Sequence, residues 1–552
     1  MKTTLIRART AAIAVAGALV IAGAGTTAAA WAGPPADNDR FGSHGRSEAS
    51  QPISVQTTTG FVYGQTFDGV NAFKGVQYGS AERFEQPSPV TPWEGYRRAL
   101  QYGEVCPNGA TLGSPYEWAT PSSGRQVENE VCQFVNVWAP AKSRGAKPVV
   151  VFLHGGGFTN GASNELAYYD GSNMAKNQDV VFASLNGRLN VLGFTDLSAY
   201  GDAYANSGNA GMADLVLGLE WIRDNIAQFG GDPNNVTIVG QSGGAGKVLA
   251  LMGMPAAQGL FDKAMAISGG APGRDQAAAR AEASALFAQL GLADGDIEGL
   301  KNVPYPDLIA AASAIRMTYG PVVDGAYYPE RTVNADGEFS ELSRDIPLLM
   351  SSTFSEFNTP VIPFETTTSD PTTLPQYRPN TPEPEVRQLL AEKYGEDAEA
   401  IIAEFRRAYP GHELFDLLHI DPAPGVRDGA LATATAKANQ QAAPVYVSLF
   451  SWVLPVWGGV PAWHTGGDLP FLFDNEEMVD YQIAGDEEGA ERVAAAASGM
   501  LGGFARTGKV ELRGVRSAAF TPDKPYTLQI DKKVEFRLGF DAKLRELIAA
   551  AG

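Results

Sequence analysis

The chain has 552 residues and a formal net charge of −20 at pH 7. Such an acidic surface repels nucleic acid and anionic membranes, which excludes both as partners. The sequence has two cysteines and five histidines. It contains no His-Glu-x-x-His motif and no cysteine and histidine cluster, so we expect no metal and no other cofactor.

The N-terminus has the pattern of an export signal. Three basic residues precede a short Ala/Val/Leu/Ile run, and small residues at Ala28–Ala32 suit cleavage. We predict a signal peptide at 1–32, a polar disordered leader at 33–51 and one catalytic domain at 52–552. A membrane anchor is the alternative, but the apolar run is short and rich in Gly and Ala.

Cys106 and Cys132 are the two cysteines of the chain. An even count in an exported protein favours a disulfide, and two buried free thiols are the alternative. A disulfide closing a loop of this length stabilises the fold by roughly 3–4 kcal/mol. Tyr116 and Trp118 lie inside the loop and are candidates for a pocket mouth or for simple packing.

A glycine-rich loop follows an apolar run at 147–153 that predicts a buried strand. The loop begins His154-Gly-Gly-Gly, and backbone N–H groups in such a loop face a substrate oxygen without side chains in the way. Gly156 and Gly157 are therefore candidates for an oxyanion hole. We interpret His154 as a brace of the turn and not as a proton carrier.

A second glycine-rich turn ends the β-branched run at 236–239. Its sequence, Gly240-Gln-Ser-Gly-Gly244, is the Gly-x-Ser-x-Gly nucleophile elbow, in which a strand turns sharply into a helix and exposes a serine. Ser242 is the predicted nucleophile, and the Gly243 N–H completes the oxyanion hole. A glycine turn that contains serine by chance is the alternative, but two motifs of one mechanism in the expected order favour a serine hydrolase.

The same stretch superficially resembles a phosphate-binding loop. That loop needs four residues between its glycines, followed by Gly-Lys and a Ser or Thr. With four residues between them, the glycine that precedes Gly246 would have to stand at position 241, which is Gln241. Lys247 is followed by Val248, so nucleotide binding is not expected.

A serine nucleophile needs a base held in place, usually histidine. In α/β-hydrolases, the class that uses this elbow, the triad runs in the order Ser, acid, His, so the base follows Ser242. His412 and His419 lie in the amphipathic segment 410–419, which reads as a helix in which histidine is usually structural. His464 instead follows a strong strand pattern at 445–454 across a Gly/Pro/Trp loop. His464 is therefore the predicted base.

The acid must lie in a loop between Ser242 and His464. Glu356 follows a predicted strand at 346–352, which offers a rigid mount. Asp324 precedes glycine and reads as a turn residue, whereas Glu365 lies in a Thr/Pro-rich stretch with no strand to fix it. We prefer Glu356.

From about residue 53 onward the chain resembles the type-B carboxylesterases, the α/β-hydrolases that include cholinesterases and bacterial para-nitrobenzyl esterases. The resemblance is carried by the elbow, the His154 loop, Ser268-Gly269, and the segments 73–78, 130–138, 229–238, 321–325 and 464–473.

The resemblance implies the triad Ser242, Glu356 and His464, a disulfide near the rim of the active-site gorge, and a place near the site for Ser268. It also exposes a departure, since the family usually has Glu where this chain has Gln241. A neutral amide there gives no reason to expect the preference of cholinesterases for cationic substrates.

We therefore expect an α/β-hydrolase fold, with a large, mostly parallel sheet, helices on both faces, and a cap or pocket wall at about 357–426. The expected function is that of a secreted serine carboxylesterase acting on small-molecule esters without a cofactor. A lipase or amidase with the same mechanism is the first alternative. A non-catalytic binding module of the same fold is the second.

Overall fold

The protein is described from a computed structural model. The structure describes residues 50–108, 126–142, 144–357 and 381–552. The predicted signal peptide, most of the predicted leader, and Tyr116, Trp118 and Glu365 lie outside the described residues.

Strands alternate with helices along most of the described chain. The strands are, in chain order, β1 (Gln51–Gln56), β2 (Phe61–Phe67), β3 (Val70–Gln77), β4 (Gly79–Ser80), β5 (Ser88–Pro89), β6 (Tyr96–Arg98), β7 (Phe134–Pro140), β8 (Lys147–Leu153), β9 (Val181–Leu185), β10 (Gly231–Gln241), β11 (Lys263–Ile267), β12 (Arg274–Asp275), β13 (Val322–Val323), β14 (Leu348–Thr353), β15 (Val445–Phe450), β16 (Val453–Leu454), β17 (Val460–Pro461), β18 (Tyr526–Ile530) and β19 (Glu535–Leu538).

The α-helices follow the strands at short intervals. They are α1 (Ser172–Gln178), α2 (Asn190–Phe194), α3 (Ala210–Asn225), α4 (Gly243–Met252), α5 (Gln276–Gln289), α6 (Ile297–Lys301), α7 (Tyr305–Ala314), α8 (Glu383–Tyr394), α9 (Ala398–Ala408), α10 (Val426–Asn439), α11 (Leu469–Leu472), α12 (Asp480–Ile483), α13 (Glu487–Thr507) and α14 (Ala542–Ala551). Among these described segments, none is both long and apolar enough to cross a membrane.

One large sheet organises the described part of the chain. Thirteen strands join it in the order β1-β2-β3-β7-β9-β8-β10-β11-β14-β15-β18-β19, with β6 paired to β2. Neighbours from β9 to β18 are parallel, and the pairs that flank them are mostly antiparallel. The predicted fold, a mostly parallel sheet of the α/β-hydrolase type, is confirmed.

The two faces of the sheet are covered by different helices. On β8, Val149, Val151 and Leu153 face a core layer formed with α3, α4 and α10. Val150 and Phe152 face the opposite layer, formed with α1, α11 and α13. Because both faces are buried, β8 is apolar along almost its whole length, and each such side chain stabilises the fold by about 1.5–3 kcal/mol.

A mostly helical insertion separates β14 from β15. Its helices α8 and α9 share a small apolar core with α14 at the C-terminus. Helices α8 and α9 fall in the stretch 357–426, where a cap or pocket wall is expected. The segment 410–419, which reads as a helix in the sequence, forms only a short 3-10 helix at Leu414–His419, because Pro410 and Gly411 separate it from α9.

Candidate active site

Ser242 lies between the end of β10 and the start of α4. Its φ and ψ are 57° and −122°, a conformation that costs a residue with a side chain roughly 1–3 kcal/mol. Two hydrogen bonds hold it: the Ser242 N–H donates to the Ile267 carbonyl at 2.8 Å, and the Gly246 N–H donates to the Ser242 carbonyl at 3.1 Å. The sharp turn predicted from the sequence is present.

The glycines of the elbow are required by close backbone contacts. A Cβ on Gly240 would collide with the Gly244 carbonyl, and a Cβ on Gly244 would collide with the Leu153 carbonyl. A Cβ on Gly243 would lie 2.5 Å from the Gly157 nitrogen. The start of α4 therefore lies directly against the loop that follows β8.

That loop brings its own glycines to the same place. Gly156 and Gly157 have φ values of 90° and 61°, which L side chains rarely adopt. The N–H groups of Thr159 and Asn160 both donate to the Gly156 carbonyl at 3.0 Å, so this carbonyl is held inside the turn. The backbone of Gly157 meets that of Gly243 at the N-terminus of α4, where N–H groups lack helical acceptors and the helix dipole favours negative charge.

Glu356 follows β14, and His464 comes after β15, the strand paired with β14, so the two side chains meet at that end of the sheet. The Glu356 Oε2 lies 3.1 Å from His464 Nδ1. Its Oε1 accepts from the Ser268 hydroxyl and from the Thr353 N–H, both at 2.8 Å. The His464 N–H also donates to the Glu356 carbonyl at 3.2 Å. Glu356 and His464 are both buried, so this arrangement fixes the orientation of the imidazole.

Gln241 covers the imidazole of His464. Its Nε2 lies 3.1 Å from Nδ1 and 2.9 Å from Nε2 of the ring. The lone pairs of the two ring nitrogens point to opposite sides, so an atom nearly equidistant from both lies over the ring face and not on a lone-pair axis. Phe357 packs on the same ring, with 4.4 Å between ring centroids. The neutral amide thus stands where the family usually places a carboxylate.

Two further carboxyl groups lie around Glu356. Burial, and then the charge of Glu356, raises the pKa of Asp468 to about 8. Burial is also the main cause that raises the pKa of Asp421 to about 6, opposed by a hydrogen bond from the Arg427 N–H. Asp468 is therefore largely protonated at neutral pH, which limits the negative charge beside Glu356.

The alternative candidates in the described residues make other contacts. Asp324 accepts the N–H groups of Ala326 and Tyr328 at 2.9 and 3.0 Å, as expected for a turn residue. His412 is held between Asp416 and Asp531, at 3.1 and 3.0 Å. The backbone carbonyl of His419 accepts the Ser355 hydroxyl at 2.8 Å.

The cysteines form a disulfide, and residues just after Cys106 contact the glycine loop. The Cα atoms of Cys106 and Cys132 are 4.9 Å apart. Just after Cys106, the Asn108 side chain accepts the Gly161 N–H at 2.5 Å, and the Pro107 carbonyl accepts the Asn190 amide at 2.8 Å. The Asn190 N–H in turn donates to the Phe158 carbonyl at 2.8 Å.

A buried lysine behind the glycine loop was missed as a site residue by sequence reasoning. Lys247 lies on α4 and its Nζ donates to the His154 carbonyl at 2.9 Å. In the sequence, Lys247 stands only at the position of a possible phosphate ligand. Its signal was an uncompensated charge in an otherwise small and apolar helix, which predicts either a partner or a functional role.

The parallel sheet, with a strained serine at the tip of β10 and a glycine loop after β8, defines an α/β-hydrolase. Known proteins agree. The carboxylesterase family model matches residues 51–546. A para-nitrobenzyl esterase of Bacillus subtilis (strain 168) is 32% identical over 500 residues, which cover 87% of this chain and 95% of the relative.

Solved structures give the same result. An esterase from the anaerobe Clostridium hathewayi, described as able to hydrolyse aliphatic aromatic polyesters, is 34% identical with a TM-score of 0.81, covering 91% of this chain and all of that chain. A thermophilic PNB esterase is 29% identical with a TM-score of 0.72, covering 90% and 99%. The chain belongs to the carboxylesterase family and is a carboxylic ester hydrolase.

Proposed function

We propose that the protein is a secreted serine carboxylesterase that works through an acyl-enzyme on Ser242. The Ser242 Oγ attacks the ester carbonyl carbon, the carbonyl electron pair moves onto oxygen, and His464 Nε2 takes the hydroxyl proton. When the carbonyl re-forms, the bond to the alcohol oxygen breaks and the imidazolium protonates the departing alcohol. Water activated by His464 then hydrolyses the acyl-enzyme by the same steps, without a cofactor.

The other groups stabilise charge. Glu356 orients His464 through Nδ1, which leaves Nε2 for Ser242, and it stabilises the imidazolium. The N–H groups of Gly156, Gly157 and Gly243 would bind the oxyanion, assisted by the N-terminus of α4. The Gln241 amide contacts the His464 ring, 2.9 Å from Nε2, without adding a charge.

The observation that carries the proposal is the buried Glu356–His464 hydrogen bond, on an imidazole that also contacts Gln241, the residue before the strained Ser242. Ser242→Ala should fold normally and lose several orders of magnitude in kcat, because no other group supplies the nucleophile. The measurement is hydrolysis of para-nitrophenyl butyrate, together with mass-spectrometric location of a phosphonate label. Ser343→Ala is the matched control, since Ser343 is buried and donates only to the Met252 carbonyl in α4.

Retention of a tenth of the activity in Ser242→Ala, or a label on another residue, would contradict this assignment. A wild-type protein that is neither labelled nor active on any ester would instead favour the binding module.

The acyl chain preference separates an esterase from the alternatives. Across para-nitrophenyl esters of increasing acyl length, we expect activity to fall steeply beyond short chains. Persistence on long chains and emulsions would favour a lipase, and hydrolysis of anilides an amidase. Because a structural neighbour hydrolyses aliphatic aromatic polyesters, release of soluble acid from such a polyester film belongs in the same panel.

Secretion rests on the predicted signal peptide at 1–32 and on the two cysteines. Protein recovered from the culture medium should begin near residue 33 and should have no free thiol under denaturant. A mature N-terminus at residue 1, or two titratable thiols in freshly secreted protein, would overturn this part of the proposal.

A further inference from the structure

Lys247 is a buried cation that the proposed chemistry does not use. It lies five residues after Ser242 on α4, and only 4% of its surface is exposed. Burying a lysine is costly unless its ammonium group finds acceptors. The position of those acceptors therefore indicates what the residue does.

Both acceptors belong to the first residue of the glycine loop. The Lys247 Nζ lies 2.9 Å from the His154 carbonyl oxygen and 3.4 Å from His154 Nε2. His154 Nδ1 lies 3.0 Å from the Gly155 carbonyl, which requires the proton on Nδ1 and leaves Nε2 as an acceptor. Burial, with the nearby Lys247 charge second, holds the pKa of His154 well below its usual value, so the ring is neutral.

The surroundings of Lys247 keep it a donor. Burial lowers the pKa of Lys247 to about 7, against the attraction of Glu165. Burial raises the pKa of Glu165 to about 7, while Lys247 and the Tyr169 hydroxyl act in the opposite direction. Tyr169 also faces Asp468. In either protonation state the Lys247 amine has N–H groups to donate to His154.

We propose that Lys247 is a positioning residue for the ester hydrolysis proposed above: by holding the carbonyl and ring of His154, it fixes the loop whose Gly156 and Gly157 N–H groups bind the oxyanion. The link is short, since Gly155 and Gly156 follow His154 directly. The helix that carries Lys247 also carries Gly243 at its first position, so one side chain ties the two halves of the oxyanion hole together.

The chain offers a matched control in Lys437. This lysine is also buried, and it too donates to backbone carbonyls, those of Ser343 at 2.8 Å and Arg344 at 2.6 Å. It lies near the end of α10, away from the glycine loop. Lys247→Met and Lys437→Met therefore remove the same kind of group, but only the first removes a contact to His154, the residue that begins the glycine loop.

The experiment compares kcat and KM for para-nitrophenyl butyrate with the inhibition constant of a trifluoromethyl ketone, whose serine adduct carries an oxyanion. For Lys247→Met we expect kcat to fall about tenfold to a hundredfold, less than the hundredfold to thousandfold loss typical when an oxyanion donor is removed outright. The ketone should bind more weakly by a similar factor. KM and binding of the product alcohol should change by less than about threefold, because they do not depend on the oxyanion.

Lys437→Met should lose stability and keep wild-type kinetics per folded molecule. Equal kinetic losses in the two variants, or wild-type kcat and ketone affinity in Lys247→Met, would overturn the proposal. If Lys247→Met does not fold, Lys247→Gln, which keeps a neutral N–H donor on a shorter stem, should show a smaller loss of the same pattern. Failure of the serine mechanism itself is recognised separately, because the wild-type enzyme would then not be labelled at Ser242.

Discussion

At the residue scale, the candidate site has few charged side chains around the imidazole of His464. Glu356 accepts from Ser268 and Thr353 and faces His464, so its two oxygens are fully engaged. Asp468 nearby is held largely neutral. Gln241 adds an uncharged contact on the imidazole. The imidazole of His464 is thus paired with one carboxylate, in keeping with a base that must be neutral before it accepts a proton.

Gln241→Glu should move the pH dependence of the reaction. A carboxylate against the ring would stabilise the imidazolium, so the reaction should need a higher pH. We expect the acid limb of the kcat/KM profile to shift upward by about one pH unit or more. Gln178→Glu on α1 is the control, because Gln178 contacts Ser498 and not the site. An unchanged acid limb would mean that Gln241 does not govern the charge of His464.

At the element scale, the helical insertion is attached to the sheet by a buried histidine. His412 lies between Asp416 at the start of its 3-10 helix and Asp531, directly after β18. Burial lowers the pKa of His412, but hydrogen bonds and charge from both aspartates outweigh it and raise the pKa to about 9. The imidazolium is therefore a structural cation at neutral pH.

The stability contributed by His412 should depend on pH in a defined direction. Because the pKa is raised in the folded state, the contribution is fully present below about pH 6.5 and is lost as pH rises through about 9, with a size on the order of 3 kcal/mol. Urea unfolding of wild type and His412→Gln at pH 6.5 and 9.5 measures this. The difference between the two proteins should be large at pH 6.5 and small at pH 9.5, and a difference independent of pH would contradict the account.

The sequence predicted elements best where one local signal was enough. The run at 147–153 is β8 to the residue, because strands buried on both faces are continuously apolar. The run at 346–352 is displaced by one or two residues from β14. The segment 410–419 was predicted as a helix and forms a short 3-10 helix at Leu414–His419, whose apolar residues are buried in the core of the insertion. Contacts such as Lys247 to His154 join distant segments, and no local pattern reveals them.

At the scale of the whole molecule, the sheet brings together residues more than two hundred positions apart. Ser242 follows β10, Glu356 follows β14, and His464 comes after β15 and β17. The order of the motifs predicts that all three lie at one edge, since parallel strands present their carboxyl ends there. Gln241 and His464, 223 positions apart, are in contact. The net negative charge also acts on the whole molecule, because the electrostatic field of all its charges extends beyond any single contact.

That field should discriminate substrates by charge through the rate of encounter. With a formal net charge of −20, the protein attracts cationic esters at low salt, although Gln241 offers no local carboxylate. We expect kcat/KM for a choline ester to fall as NaCl increases from about 20 to 500 mM, across which the screening length becomes much shorter. A neutral ester of similar size is the control and should change little. An equal salt effect on both esters would rule out steering.

The close backbone contacts of the elbow also determine where this enzyme can change. A side chain at Gly240, Gly243 or Gly244 would displace backbone atoms of the strand, the helix or the glycine loop. In a library randomised at every position, Gly240 and Gly244, the two glycine positions of the Gly-x-Ser-x-Gly motif, should accept nothing but glycine among active clones. New specificity has to enter through side chains that face the site from outside this frame, such as the exposed Phe357. Substitutions are therefore excluded at the glycines of the elbow and tolerated at exposed side chains such as Phe357.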